Sequence, residues 1–155
     1  MTRHLPYAAY GNGQVLGLVG PDSAIDWLCL PRFDSPSVFG ALLDAERGGT
    51  FKVLSRGRSV HGHLSYIRNT NVVRGEFRDG EAAWEIIDFA PRLPNGLALD
   101  CPVEIVRVIR PLAGTPRLSI ELDPRPDYGR AAVRWIPEDR GTLLEWSGGT
   151  LDVAA

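Results

Sequence analysis

A chain of 155 residues with 44% hydrophobic and 23% charged side chains has the make-up of one soluble globular domain, long enough to bury ~68–70% of its unfolded surface. A formal net charge of -2, with Lys52 the only lysine, leaves no basic footprint for nucleic acid or for an anionic membrane. No run approaches the ~20 apolar residues that span a bilayer. The opening MTRHLPYAAYGNG lacks a signal-peptide core, so a cytoplasmic protein is expected.

Residues 7 to 30 read as a hairpin or a pair of sheet strands, Gln14 to Val19 and Ala24 to Leu30, around the turn residues Gly20-Pro21-Asp22-Ser23. In the second, Ile25, Trp27 and Cys29 alternate with Asp26, Leu28 and Leu30, which predicts burial on both faces. Cys29 in such a strand is expected to be a reduced, buried thiol rather than the disulfide partner of Cys101. Pro31 ends the ladder. After the corner Arg32-Phe33-Asp34, Ser35 has the chemistry of an N-cap and Pro36 of a first helical residue. Phe39, Leu42 and Leu43 then supply one face of a short helix predicted near residues 36–46, ended by Gly48-Gly49.

A strand is predicted over Thr50 to Leu54, and a polar loop over Ser55 to His63. Strands Asn71 to Arg78 and Glu81 to Phe89 flank Asp79-Gly80, a strong hairpin signal. Ala90 to Pro102 reads as a loop. Val103 to Leu112 is the longest β-branched run and predicts a central strand. In Arg117 to Leu122 the residues Leu118, Ile120 and Leu122 are expected to face inward. Asp123 to Arg130 is a proline-broken corner before a strand at Ala132 to Ile136. Thr142 to Ser147 and Thr150 to Ala154 flank Gly148-Gly149 as a last hairpin. Many short strands with Gly/Pro/Asp turns argue for an all-β, antiparallel β-sandwich.

Two corners are the candidates for function. At Arg32-Phe33-Asp34 a guanidinium fork and a carboxylate can hydrogen-bond sugar hydroxyls, and Trp27 or Phe33 offers an apolar face to a pyranose ring. A local ion pair with Phe33 as packing explains the same residues. Asp127-Tyr128-Gly129-Arg130 combines an aromatic, a charge pair and a flexible glycine, and either a contact surface or a Tyr-tied sandwich corner accounts for it. Asp22, Asp26, Asp34, Asp88 and Asp127 are carboxylates by type, each better explained by turns or ion pairs than by catalysis. No Walker-type phosphate loop, Gly-x-Ser-x-Gly elbow or Cys-x-x-Cys pair occurs, and His61 and His63 lack a nearby third ligand, so no metal site is expected. Trp84, Trp135 and Trp146 sit in strand patterns and are expected in the core.

The run GLVGPDSAIDW, the strand–corner unit after it and GGTF resemble, in order, the N-terminal domain of trehalase-like and glucoamylase-like enzymes of glycoside hydrolase family 15. The resemblance continues through Tyr66, Thr70-Asn71-Val72-Val73, Ile87-Asp88-Phe89-Ala90-Pro91 and Pro126-Asp127-Tyr128-Gly129-Arg130. It implies a super-sandwich-like domain over residues 1–155, itself incomplete, in a protein that hydrolyses α-glucosidic bonds with inversion and without a cofactor. In that family both catalytic glutamates lie in an (α/α)6 barrel, which is absent from this chain, so no catalytic residue carries over. The barrel of the same protein is the implied partner. The resemblance sets the Arg32-Phe33-Asp34 corner near the mouth of its active site. A stand-alone sandwich that binds carbohydrate or protein without chemistry is the alternative.

Overall fold

The computed structural model describes residues 6–154. In chain order the strands are β1 (Ala8–Gly11), β2 (Leu16–Val19), β3 (Ile25–Cys29), β4 (Ser37–Phe39), β5 (Thr50–Ser55), β6 (His63–Tyr66), β7 (Val73–Asp79) and β8 (Ala82–Phe89). There follow β9 (Leu93–Asn95), β10 (Ala98–Asp100), β11 (Val106–Ala113), β12 (Leu118–Asp123), the single helical turn α1 (Pro126–Gly129), β13 (Arg134–Glu138), β14 (Gly141–Trp146) and β15 (Gly149–Ala154). Every pairing is antiparallel. One sheet runs β1-β2-β3-β5-β12 with β4 added on β3, a second runs β11-β8-β7-β6, and β13-β14-β15 and β9-β10 form smaller sheets. The all-β antiparallel sandwich predicted from the turn spacing is the observed class.

Period-2 alternation explains the layering. From the first sheet Ala8, Tyr10, Val19, Ile25 and Leu28 point into a shared core, joined by Val38, Phe39 and, from the second sheet, Val73. A smaller cluster packs Val53 against Phe77, Trp84 and Ile86. Trp146 and Leu151 of the last hairpin lean on the main cluster. The hairpin expected at Asp79-Gly80 forms one residue later: Asp79 stays in the ladder opposite Ala82, and Gly80, at φ 61°, and Glu81 make the turn.

The helix predicted near residues 36–46 is absent. Ser37, Val38 and Phe39 are all buried and form β4, Phe39 pairing with Leu28 and Ser37 with Cys29. The Ser35 hydroxyl accepts from the Arg32 N–H at 3.2 Å, closing a turn instead of capping a helix. The Gly40 N–H donates the next backbone bond, to the Gly48 carbonyl at 2.7 Å. A Cβ on Gly48 would lie 2.2 Å from the Gly40 backbone. Consecutive apolar residues followed by paired glycines satisfy a sheet and a tight loop, and this outweighs the helical spacing of Phe39, Leu42 and Leu43.

Two further expectations are corrected. The Val103–Leu112 run is not central: β11 is an outer strand, and β8 is the buried one beside it. Pro111, which has no N–H to donate, is compatible with that outer position. Trp135 is exposed on β13, while Trp84 is buried and Trp146 partly so. Strands β1, β6, β9 and β10 are short, and the turn pattern did not separate them from loop.

Candidate functional site

The first corner is built where β3 runs out. Leu30–Pro31 is a cis peptide. The Phe33 N–H donates to the Gln14 carbonyl at 2.9 Å, and Gln14 Nε2 donates to the Pro31 carbonyl at 3.3 Å, which ties the corner to the β1–β2 connection. Arg32 grips Asp34 with both arms of its fork, Nε to Oδ1 at 2.9 Å and Nη2 to Oδ2 at 3.2 Å. Both side chains stay more than half exposed, and Phe33 beside them is exposed too. The hydrogen bond to Arg32 holds the Asp34 carboxyl below the usual carboxylate range, and the same bond raises the guanidinium. The neighbouring Cys29 thiol is pushed up, first by burial and then by the Asp34 charge. Trp27 stands half-buried on β3 opposite Leu18.

The second corner has an unusual backbone. Asp127, Tyr128 and Gly129 take positive φ of 54°, 56° and 78°, a left-handed turn that costs free energy for the two non-glycine residues. Arg130 supports it: Nη2 bonds Asp127 Oδ1 at 2.8 Å, Nε bonds the Asp127 carbonyl at 3.0 Å, and the guanidinium lies 5.7 Å from the Tyr128 ring centroid. The predicted Arg130–Asp127 pair is present. The predicted Tyr tie is not, since Tyr128 is exposed and its hydroxyl has no partner among the described residues. Cross-chain ties come instead from Tyr66, whose hydroxyl bonds Ala9, and Tyr7, which donates to Asp26 at 2.7 Å.

The fold brings the two corners to one end of the sandwich. The Arg125 N–H donates to the Val38 carbonyl at 2.8 Å, which fixes α1 against β4, the strand that leaves the first corner. Pro31, Ser35, Pro36, Pro126 and Asp127 all line one groove of about 950 Å³. Arg32, Phe33 and Asp34 sit between two of those lining residues without lining it themselves. Trp27, Tyr128 and Arg130 do not line it either. The groove floor is apolar and aromatic, with Phe39, Phe51, Leu122 and Trp146.

Each candidate carboxylate has a structural partner. Asp22 accepts from the Ala24 N–H at 3.3 Å, and Asp26 takes the Tyr7 hydroxyl and, at 2.8 Å, the Thr50 hydroxyl. That bond and burial together raise the Tyr7 phenol well above its usual value, burial being the larger cause. Asp88 meets Arg107 in a buried fork, Nε to Oδ1 at 2.7 Å and Nη2 to Oδ2 at 3.2 Å. Sequence reasoning missed Arg107. Its signal was an arginine at an inward register of the apolar run VEIVRVIRPL, with Asp88 in the similarly apolar IIDF. Both cysteines are free, Cys29 buried and Cys101 less so. Among the described residues no group of three His, Cys, Asp or Glu is placed to hold a metal, and no helix is long and apolar enough to cross a membrane.

Fold and corners together define a β-sandwich domain with a paired-charge end and an apolar groove. The chain belongs to the family described as trehalase-like, N-terminal, whose model matches residues 7–150. It is 30% identical over 142 residues to a trehalase of Mycobacterium tuberculosis, covering 83% of this chain and 21% of that protein. A trehalase of Mycolicibacterium smegmatis is 31% identical over 147 residues, 84% of this chain and 22% of that one. One from Thermoplasma volcanium is 32% identical over 122 residues, 77% and 19% respectively. The chain thus spans about a fifth of the length of the relatives it matches. No solved structure matches it.

Proposed function

We propose that this chain is the N-terminal, non-catalytic domain of a trehalase-like α-glucoside hydrolase of glycoside hydrolase family 15. The observation that carries the reading is likeness to trehalases along most of this chain but only about a fifth of theirs. The engaged carboxylates support it: Asp22, Asp26, Asp34, Asp88 and Asp127, the candidates by type for the acid and base that inversion sets ~6.5–9.5 Å apart, each have a turn or pairing role within the fold. In this reading the two catalytic glutamates belong to an (α/α)6 barrel of the same protein. That protein hydrolyses trehalose, maltose or malto-oligosaccharides without a cofactor, in the cytoplasm, where two free cysteines are at home.

The end that carries Arg32, Phe33, Asp34, Asp127, Tyr128 and Arg130 is the surface proposed to meet the barrel. Exposed Phe33 and Tyr128 supply apolar area, and the two Arg–Asp pairs hold the backbone for contact. Side-by-side assays of glucose release from trehalose and maltose, on this chain and on the uninterrupted reading frame, test the assignment. Release by the longer protein alone is expected. Activity of the 155-residue chain would place the carboxylate pair inside the sandwich, and a longer protein inert on both sugars would favour a binding module.

Arg32→Ala separates surface from scaffold. The pair is exposed, so the unfolding midpoint is expected to stay nearly unchanged at neutral pH. Asp34 is lowered when folded, so its small contribution is present above the ordinary value of 3.8 and lost as pH falls through the lower folded value. In the longer enzyme kcat/KM is expected to fall roughly tenfold, the worth of one charge-assisted hydrogen bond. Unaltered turnover per folded molecule would sink the contact role.

A further inference from the structure

Of the four asparagines in the chain, Asn12 and Asn95 are each followed by glycine, whereas Asn69 and Asn71 precede threonine and valine. The two Asn-Gly pairs stand at the root and the tip of one arm, the hairpin β9–β10. At the root, Asn12 is buried and bonded through both atoms of its amide. Its Nδ2 donates to the Pro91 and Pro102 carbonyls at 3.0 and 2.8 Å, the two points that flank the arm. Its Oδ1 accepts the Gln14 and Val15 N–H groups at 2.9 and 3.1 Å. The Asn12 side chain cannot turn without giving up these bonds in the interior, where each lost partner is costly.

Asn95 is the opposite case. Every residue of β9 and β10 is exposed, and the two strands pair only with each other. A lone two-stranded hairpin is marginally stable in water, so this one opens at little cost. Asn95 closes the ladder opposite Ala98, and Gly96 starts the turn at φ 59°, where a Cβ would meet nothing. The Gly96 N–H has no partner among the described residues. A single bond restrains the Asn95 side chain, from Nδ2 to Asp100 Oδ2 at 2.9 Å, and it is exposed to solvent.

We propose that Asn95 is a site of spontaneous covalent modification, a deamidation through the Gly96 nitrogen that Asn12 is held from undergoing. When the arm opens, the Gly96 nitrogen gives up its proton to solvent and attacks Asn95 Cγ. The new C–N bond closes a succinimide ring, the Cγ–Nδ2 bond breaks, and the amide nitrogen leaves as ammonia after taking a proton from solvent. Water then adds to one of the two ring carbonyls, leaving aspartate or isoaspartate at position 95. No electrons are exchanged with an outside group. Glycine is the residue that favours the attack, because no side chain shields its nitrogen. Either product works against the closed arm. Aspartate sets a second carboxylate where the amide now donates to Asp100, and isoaspartate adds a methylene to the backbone of β9 and shifts its register.

The test incubates the 155-residue chain and the uninterrupted reading frame in mildly alkaline buffer. Mass spectrometry then follows the tryptic peptides 93–107 and 4–32, which carry Asn95 and Asn12. The amide-to-acid mass gain is expected at Asn95 in two chromatographic forms, aspartyl and isoaspartyl. Asn12 is expected to react at least about 100-fold more slowly, since its buried hydrogen bonds must break first. Asn95→Asp, which makes the aspartyl product directly, is expected to speed hydrogen exchange at the Ala98–Asp100 amides. Equal rates at the two asparagines overturn the proposal, as does an Asn95 that stays intact in the folded chain while the free peptide 93–107 reacts. Protection of Asn95 in the longer protein alone assigns the arm to a contact within that protein and overturns the site there. Unaltered exchange in Asn95→Asp overturns the opening of the arm.

Discussion

Arg107→Ala is expected to lower the stability of the folded chain by about 3–5 kcal/mol, because it strands the Asp88 carboxylate in the interior. The two side chains are 4% and 5% exposed and meet through both arms of the fork. Arg107 does more than neutralise Asp88. Its Nη1 donates to the Phe51 carbonyl at 3.0 Å, and its guanidinium lies 4.7 Å from the Phe51 ring centroid. Asp88 is on β8 and Phe51 on β5, so one side chain bolts the second sheet to the first. Asp88→Ala is expected to cost a similar amount, since it leaves the guanidinium buried without its anion. Replacing both by apolar residues of matching volume is expected to recover most of the loss. Urea denaturation followed by tryptophan fluorescence measures all three. A single-variant loss below about 1 kcal/mol would mean that the pair behaves as a solvated one.

Trp84→Ala is expected to cost about 3–5 kcal/mol through the cavity it leaves. The indole is 1% exposed and stacks on Phe77 at 5.8 Å between centroids with planes 13° apart. Phe77 in turn is hemmed in by backbone: a Cβ at Gly62 or Gly75 would lie 2.6 Å from its ring. The ring is seated against that backbone, so filling the vacated space would require it to leave those contacts. Trp84→Phe is expected to cost less, since it keeps the stack and removes an indole N–H that has no partner among the described residues. Calorimetric melting of the two variants checks the order. A Trp84→Ala protein that melts with the parent would remove the second cluster from the account of stability.

The sandwich was legible because its turn signals, Asp79-Gly80 and Gly148-Gly149, leave few alternatives to antiparallel pairing, although the turns themselves fall one residue away, at Gly80-Glu81 and Ser147-Gly148. The segment after Pro36 misled because Phe39, Leu42 and Leu43 fit a helical face on spacing alone. The spacing carries no information about Gly48 lying against Gly40 or about Val38 being buried. The Val103–Leu112 run was read as central on its β-branched content, but content does not say which neighbour is present, and β11 has only one. Of the candidate site, the Arg32–Asp34 and Arg130–Asp127 pairs were visible as near neighbours in sequence. Their meeting at one end was not, because it depends on Arg125 bonding Val38, nearly ninety residues earlier in the chain. The left-handed turn at Asp127 and Tyr128 was also invisible, as Gly129 alone advertised a positive φ.

The order in which the chain is made has a consequence for how it closes. Strands β6, β7 and β8 form a contiguous meander, each pairing with the next, so this part of the second sheet assembles from local contacts. The first sheet is different. Its last strand, β12, sets Leu122 opposite Phe51 and Asp123 opposite Thr50, long after β5 has been synthesised. The bolt from Asp88 to Arg107 is also unavailable until β11 has emerged. A nascent chain that has reached Phe89 holds a finished meander beside a sheet still lacking one border. Spanning residues 90–117 is the slow, entropically costly closure that makes the two into one body.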